Sequence, residues 1–180
     1  LFVIPDNFQD DNVFPMGPGY LSAVLRMAHV EVETYCMDVN HYSSEDLEEF
    51  LKNNTYDMIC LGYMGPRFKT GVEDTCKVIR KSIDKKCWFV VGGYGPSSCP
   101  KYMLENTGAD VLVIGEGEET ILDVMRAKQN KGISLSEIQS VAFIKDNKFV
   151  QNERRKTIRY LSELPPPAWD LFPMEKYTTC

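Results

Sequence analysis

Met58-Ile59-Cys60-Leu61-Gly62, Trp88-Phe89-Val90-Val91-Gly92-Gly93 and Val111-Leu112-Val113-Ile114-Gly115 repeat one pattern. Each is a short apolar run that stops at glycine. A strand covered on both faces reads this way, whereas a half-exposed strand alternates apolar and polar residues. Val72, Cys76, Ile79 and Ile83 recur at helical spacing between the first two runs, and 101–106 reads as a short helix stopped near Gly108. Strand, helix, strand, helix, strand in that order predicts parallel pairing.

The pattern extends in both directions. Leu1 to Ile4 is an apolar strand, and Tyr20, Leu21, Val24, Leu25 and Ala28 follow at helical spacing. Val30 to Cys36 alternates and predicts a second strand. Ser43 then opens a helix with Glu45 and Asp46 in its first turn, where the helix dipole favours acids, and Leu47, Phe50 and Leu51 form its buried face. On the far side, 118–131 predicts a fifth helix ended by Gly132. Five strands alternating with five helices, joined by right-handed crossovers, predict an α/β fold: a doubly wound, five-stranded parallel sheet of the flavodoxin-like, Rossmann-like class. The 180 residues are too few for an eight-stranded barrel.

After Gly132 the rhythm changes. Residues 141–145 and 148–151 flank Asp146-Asn147, a hairpin signal. Basic residues Arg154, Arg155, Lys156 and Arg159 follow, and then Pro165-Pro166-Pro167, which favours a stiff extended connector. The expected organisation is a domain over 1–135, a hairpin extension over 136–160 and a linker over 161–180. The chain opens inside a strand without Met and closes on Cys180, so it is expected to be one domain of a longer protein.

Lys plus Arg total 20 against 26 for Asp plus Glu, a net charge of −6, which argues against non-specific nucleic-acid binding and against a polybasic membrane anchor. No apolar run is long enough for a membrane span and no secretory leader is evident, so the cytoplasm is the expected compartment. No two of the six cysteines stand two residues apart, which removes zinc-ribbon and thioredoxin-like motifs. Cys36, Cys60 and Cys87 lie in or beside strands, where they read as small buried hydrophobes in a reducing compartment. No metal site and no catalytic residue is predicted.

In open parallel sheets, ligands bind outside the carboxyl ends of the strands. Gly17, Gly19, Gly62, Gly65, Gly92, Gly93, Gly95, Gly115 and Gly117 all fall in the loops at that edge, nine of the chain's twelve glycines. Tight strand-to-helix turns use glycine anyway, but four such loops on one edge suggest close approach of backbone to a ligand. Phe14, Met16, Tyr20, Tyr63, Met64 and Tyr94 stand among them, which suits a large, flat, mostly apolar ligand. Neither a dinucleotide fingerprint nor a phosphate loop is present. Glu116, Glu118 and Glu119 disfavour phosphate at the last helix N-terminus, although they can accept hydrogen bonds from a ligand. A response-regulator reading needs an acidic pair after the first strand and an Asp ending the third. Asp10-Asp11 lies too far along its loop, and the third strand ends Cys60-Leu61-Gly62.

The segments Phe14-Pro15-Met16-Gly17-Pro18-Gly19-Tyr20-Leu21, Gly92-Gly93-Tyr94-Gly95-Pro96 and Val113-Ile114-Gly115-Glu116-Gly117-Glu118-Glu119-Thr120 carry a resemblance. So does the tail Leu164-Pro165-Pro166-Pro167-Ala168-Trp169-Asp170-Leu171-Phe172-Pro173. Together they resemble the N-terminal cobalamin-binding domain of B12-dependent radical SAM proteins, across about the whole chain. The segment after the fifth strand is the most specific.

The resemblance implies that the cofactor is cobalamin, with its nucleotide tail pulled away from cobalt among the sheet loops. The positions that match are Gly62, Tyr63 and Met64, then Gly92, Gly93 and Tyr94, then Gly115, Glu116 and Gly117, with Gly17 and Tyr20 bordering the ring. Related cobalamin proteins carry an Asp-x-His-x-x-Gly motif after the first strand. This chain has no histidine there, and His29 and His41 are expected off the rim. Cobalamin is therefore expected base-off, with no protein histidine on cobalt. The expected partner is a radical SAM domain of the same parent chain, which would supply S-adenosylmethionine and a 4Fe-4S cluster. Cys180 stands without the spaced cysteines such a cluster needs. The resemblance implies that this domain alone does not catalyse, and that its parent is a methyltransferase or cyclase acting on an unreactive carbon. Two other readings stay open: a flavodoxin-like interaction module without ligand, and a flavin- or nucleotide-binding domain.

Overall fold

The computed structural model describes residues 1–6, 13–64, 72–158 and 161–178, with the backbone alone at Leu161. Asp10, Asp11, Gly65, Arg159 and Cys180, named above, lie outside them. The elements are β1 (Phe2–Ile4), α1 (Met16–Met27), β2 (Thr34–Cys36), α2 (Met37–Asn40), α3 (Ser44–Asn53), β3 (Met58–Gly62), α4 (Glu73–Ser82), β4 (Trp88–Gly92), α5 (Tyr94–Ser98), α6 (Pro100–Thr107), β5 (Val111–Val113), α7 (Glu118–Lys128), β6 (Val141–Lys145), β7 (Lys148–Gln151) and α8 (Met174–Tyr177).

The strands form one sheet in the order β2-β1-β3-β4-β5-β6-β7. The first five are parallel, with Leu61 opposite Val91 and Val91 opposite Leu112. The order β2-β1-β3-β4-β5 is that of the flavodoxin-like fold, which reverses direction between β1 and β3. The hairpin does more than extend the domain. β6 pairs antiparallel with β5 and β7 with β6, so it widens the sheet to seven strands.

Period-two alternation divides the sheet's side chains between two cores. Val3, Ile59, Leu61, Phe89, Val91 and Leu112 face Leu47 and Leu51 of α3, Cys76 and Ile79 of α4 and Met103 of α6. Phe2, Ile4, Met58, Cys60, Val90, Val111 and Val113 face Val24 and Leu25 of α1 and Ile121 and Val124 of α7. Cys36, Cys60, Cys76 and Cys87 are free and buried in these cores. Burial pushes the Cys60 and Cys76 thiols up to about 12 and the Cys87 thiol up to about 11, so they behave as unreactive small hydrophobes. Among the described residues no helix is long and apolar enough to cross a membrane.

Local chemistry sets the boundaries. Ser43 Oγ accepts from Asp46 N at 3.1 Å and Asp46 Oδ2 accepts from Ser43 N at 2.8 Å, a reciprocal cap that starts α3. β2 is shorter than the alternation over 30–36 suggested. Val30 and Val32 pack on the second core as flanking side chains, and pairing begins only at Thr34 opposite Phe2. Two short helices, α2 and α5, stand where loops were expected. In α5, Ser97 Oγ donates to Gly93 O at 2.8 Å and Ser98 Oγ to Gly95 O at 2.7 Å, bracing a turn whose Gly and Pro composition hid it. Residues 164–178, read as a connector from their prolines, pack against α1 and the β2 edge: Phe172 is buried and Thr34 Oγ1 donates to Leu171 O.

Candidate functional site

The carboxyl ends of β3, β4 and β5 meet in a bed of bare backbone. Gly62 lies opposite Gly92 in the ladder. A Cβ on Gly62 would come 3.4 Å from Gly92 O. Gly93 turns the chain out of β4 at φ +97°, and a Cβ there would come 2.9 Å from Tyr63 O. That carbonyl also accepts from Gly95 N at 3.2 Å, so the loops after β3 and β4 touch backbone to backbone. Gly115 N donates to Ser97 Oγ at 3.1 Å, which ties in the loop after β5. Gly115 has φ +78° and meets nothing within 4 Å at its Cβ position, and Gly17 likewise faces open space. Among the described residues the rim is thus floored by glycine, and no side chain stands within 4 Å of the Cβ positions of Gly17 and Gly115.

Large apolar side chains stand exposed on the same edge: Val13 (80%), Met16 (44%), Met64 (89%) and Tyr94 (78%). Tyr20 is half-buried on α1. Tyr63 turns inward. Its hydroxyl donates to Met103 Sδ at 3.2 Å, and burial pushes its phenol above the ordinary value. It gives the rim its carbonyl and not its ring. Glu116 faces the chain itself, since its Oε2 accepts from Ile158 N at 2.6 Å. Glu119 accepts from Arg155 at 2.7 Å, and Asp123 accepts from the same guanidinium. Gly117 fits closely, because a Cβ there would come 3.1 Å from Leu21 Cδ2.

Two polar groups missing from the sequence-based set, with Glu118, which the sequence offered as an acceptor, lie on the helices beside this edge. Ser22 Oγ on α1 and Glu118 Oε2 and Thr120 Oγ1 in the first turn of α7 are buried with no hydrogen-bond partner among the described residues. These two helices pack together on one face of the sheet. Ser82 Oγ and Arg155 Nε share that state elsewhere in the fold, and an unsatisfied buried polar group costs roughly 1–3 kcal/mol, so each of these groups gains from any partner that reaches it. The only sequence signal was a small hydroxyl residue within an apolar helix face, as in Leu21-Ser22-Ala23.

The histidines separate. His29 follows α1 and lines a broad groove of about 970 Å³ with Leu1, Arg26 and Tyr56, at the amino edge opposite the glycine bed. The opposite, carboxyl edge is where open parallel sheets hold ligands. His41 does lie on the carboxyl side, contrary to expectation, because α2 carries the chain on past β2. Its Nδ1 lies 2.8 Å from Oδ2 of the buried Asp6. Strand order places β1 between His41's strand, β2, and the glycine bed.

Comparison with known proteins agrees with this geometry. The family model for the B12-binding domain matches residues 10–125. An uncharacterised methyltransferase from Pyrococcus horikoshii is 30% identical over 165 residues, which is 91% of this chain and 35% of that protein. The radical S-adenosylmethionine methyltransferase TsrM from Kitasatospora setae, solved with cobalamin and a 4Fe-4S cluster, superposes with a TM-score of 0.75 at 17% identity. The match covers 92% of this chain and 30% of that one. The cobalamin-dependent S-adenosylmethionine radical enzyme OxsB, with aqua-cobalamin bound, gives a TM-score of 0.80 at 20% identity over 98% of this chain and 24% of that one. At these identities the two structures speak to the fold. The chain spans about a third of the curated relative and less than a third of either solved protein.

Proposed function

The chain belongs to the B12-binding domain family, and on that premise we propose that its carboxyl rim holds cobalamin for a radical SAM methyltransferase. The glycine bed carries the reading: Gly62, Gly92 and Gly93 let the ends of β3, β4 and β5 close on one another, and Gly115 presents bare backbone to open space where a side chain would stand in the way of a macrocycle. Met16, Met64 and Tyr94 offer apolar contact around it, and Gly17 leaves room beside α1. Ser22, Glu118 and Thr120 hold unsatisfied oxygens on the two helices beside the rim, which can accept from the amides and hydroxyls of a corrinoid tail inserted between them. When bound, the cofactor supplies a cobalt centre that carries a methyl group between S-adenosylmethionine and a substrate carbon. The chain supplies position and surroundings. The methyltransferase assignment draws on the names of the Pyrococcus horikoshii relative and of TsrM. S-adenosylmethionine and the iron–sulfur cluster would belong to a radical SAM partner domain in a longer protein. Reduced, buried cysteines suit a reducing compartment such as the cytoplasm.

The test is to incubate the purified protein with hydroxocobalamin, desalt it and record the visible spectrum. Near-stoichiometric corrinoid absorbance supports the reading, and a colourless protein overturns it. The retained cofactor is expected base-off with no histidine on cobalt. His29 stands at the opposite edge and His41 is held by Asp6 beyond β1. His29→Ala and His41→Ala should therefore leave the bound spectrum unchanged, and a shifted spectrum in either would identify a histidine ligand.

Thr120→Val tests the orphaned oxygens. Removing a buried hydroxyl that has no partner should stabilise the free protein by about 1–2 kcal/mol and weaken cobalamin binding. A melting curve and a spectral titration read the two signs separately. Loss of stability in the free protein would show that the hydroxyl has a partner within the fold.

A further inference from the structure

Phe14 is the last ring before α1, in the loop that leads from β1 to the rim. Three aromatic rings from the C-terminal segment surround it. Its centroid lies 4.4 Å from Trp169, 4.9 Å from Phe172 and 5.5 Å from Tyr177. The chain just before Trp169 touches the start of α1: Ala168 N donates to Gly19 O at 3.0 Å. A Cβ on Gly19 would stand 3.0 Å from Phe14 Cε1 and 3.1 Å from Pro167 Cβ, so helix, ring and proline close on one point.

The same segment is fastened along its length. The Asp170 carboxylate accepts from Arg26 Nη1 at 2.7 and 2.8 Å. Tyr177 Oη donates to the Asp38 carboxylate at 2.8 Å, and Lys176 Nζ donates to Asn40 Oδ1 at 2.6 Å. The partners Arg26, Asp38 and Asn40 belong to α1 and α2, so the segment spans from α1 across the carboxyl side of β2. Trp169 remains 41% exposed, so its position over Phe14 is not explained by its own burial.

From this arrangement we infer that residues 164–178 are a clasp belonging to the cofactor-binding unit, and that Phe14 is a positioning residue through which the clasp holds the loop from Phe14 to Tyr20 in its binding arrangement. The inference rests on the reading of the rim as a cobalamin site. Gly17 and Tyr20, which border the proposed ring position, follow Phe14 directly. Met16 N donates to Phe14 O at 2.9 Å and Gly19 N to Pro15 O at 3.0 Å, so the turn that presents Gly17 is built on the backbone the clasp fixes. A loop already held in place binds more tightly than one that must be ordered by the ligand. The functional unit then includes residues 164–178, and the Pro-rich stretch packs on the start of α1 beside the site.

The experiment measures hydroxocobalamin affinity by spectral titration for wild type, Phe14→Ala, Trp169→Ala and Gly19→Ala, with Leu51→Ala as the control. Leu51 lies in the core on the opposite face of the sheet and should lower the melting temperature while leaving affinity unchanged. If the free loop occupies its binding arrangement about a tenth of the time without the clasp, Phe14→Ala and Trp169→Ala should each weaken binding about tenfold while remaining folded at the assay temperature. Gly19→Ala should weaken it also, although alanine favours the helix, because its methyl displaces Phe14. Phe14→Leu, which refills part of the ring's volume, should recover part of the affinity. Wild-type affinity in Phe14→Ala and Trp169→Ala overturns the inference and leaves the cobalamin reading intact. Equal losses in Leu51→Ala also overturn it, since the effect would then follow stability alone. A wild-type chain that retains no cobalamin overturns both. Should Phe14→Ala fail to fold, Trp169→Ala and Gly19→Ala decide.

Discussion

Gly93→Val is expected to eliminate cobalamin retention, with an affinity loss on the order of a hundredfold, from a change made in the backbone of the bed. At φ +97° and ψ −178° Gly93 occupies a region essentially reserved for glycine, where a side chain costs roughly 1–3 kcal/mol. The new Cβ would also meet Tyr63 O at 2.9 Å, a backbone atom that cannot swing aside. The β4 loop must therefore move away from the β3 loop, and the two no longer share one floor. A total near 3 kcal/mol corresponds to roughly a hundredfold in apparent affinity. A spectral titration with hydroxocobalamin measures it, and near wild-type affinity would show that the ligand does not depend on this bed. Gly17→Ala is the matching control. Its Cβ meets nothing within 4 Å and the position lies in the first turn of α1, so the free protein should melt at or slightly above wild type. Any affinity lost there measures how closely the ligand itself approaches.

The same geometry shows which parts of the site were legible in the sequence. Strands covered on both faces cannot tolerate polar residues, so β3, β4 and β5 announced themselves as unbroken apolar runs, and their endings in glycine marked the rim. Tyr63 was placed on that rim as a side chain, yet the alternation already put it on the face of Ile59 and Leu61, where the structure finds it packed toward α6. Glu116 was read as a ligand group. Its actual partner, Ile158 N, comes from a segment with no periodicity to predict its path. The Pro-rich segment was opaque for a related reason. An extended stretch makes no internal hydrogen bonds, so its composition reports its stiffness and not the surface it covers. His41 was misplaced because the four-residue α2 left too little pattern to see. Ser22 and Thr120 carry weight only through what surrounds them, which no local pattern encodes.

Phe89→Ala should have the largest effect on stability and little effect on binding. Phe89 is fully buried near the start of β4, in the core beneath α3, α4 and α6. Truncating such a side chain removes its transfer free energy and leaves a cavity, together about 3–5 kcal/mol. For a chain of 180 residues that lowers the melting temperature by roughly 6–20 °C. The backbone of β4 stays in place: Phe89 N still donates to Asp110 Oδ2 at 2.8 Å, Arg80 still holds that carboxylate at 3.1 Å, and the ladder still sets Gly62 opposite Gly92. The orphaned oxygens and α1 lie on the other face of the sheet. A ligand at a hundred times its dissociation constant adds about 2.7 kcal/mol to whatever stability the protein has. Phe89→Ala should therefore melt far earlier than wild type yet gain the same increment from hydroxocobalamin. Gly93→Val should lose the increment while losing less of its melting temperature. If Phe89→Ala lost the increment as well, the glycine bed would be held by the first core and not by the ladder. Because each variant is read by both melting and titration, the two losses can be assigned separately to the core and to the rim.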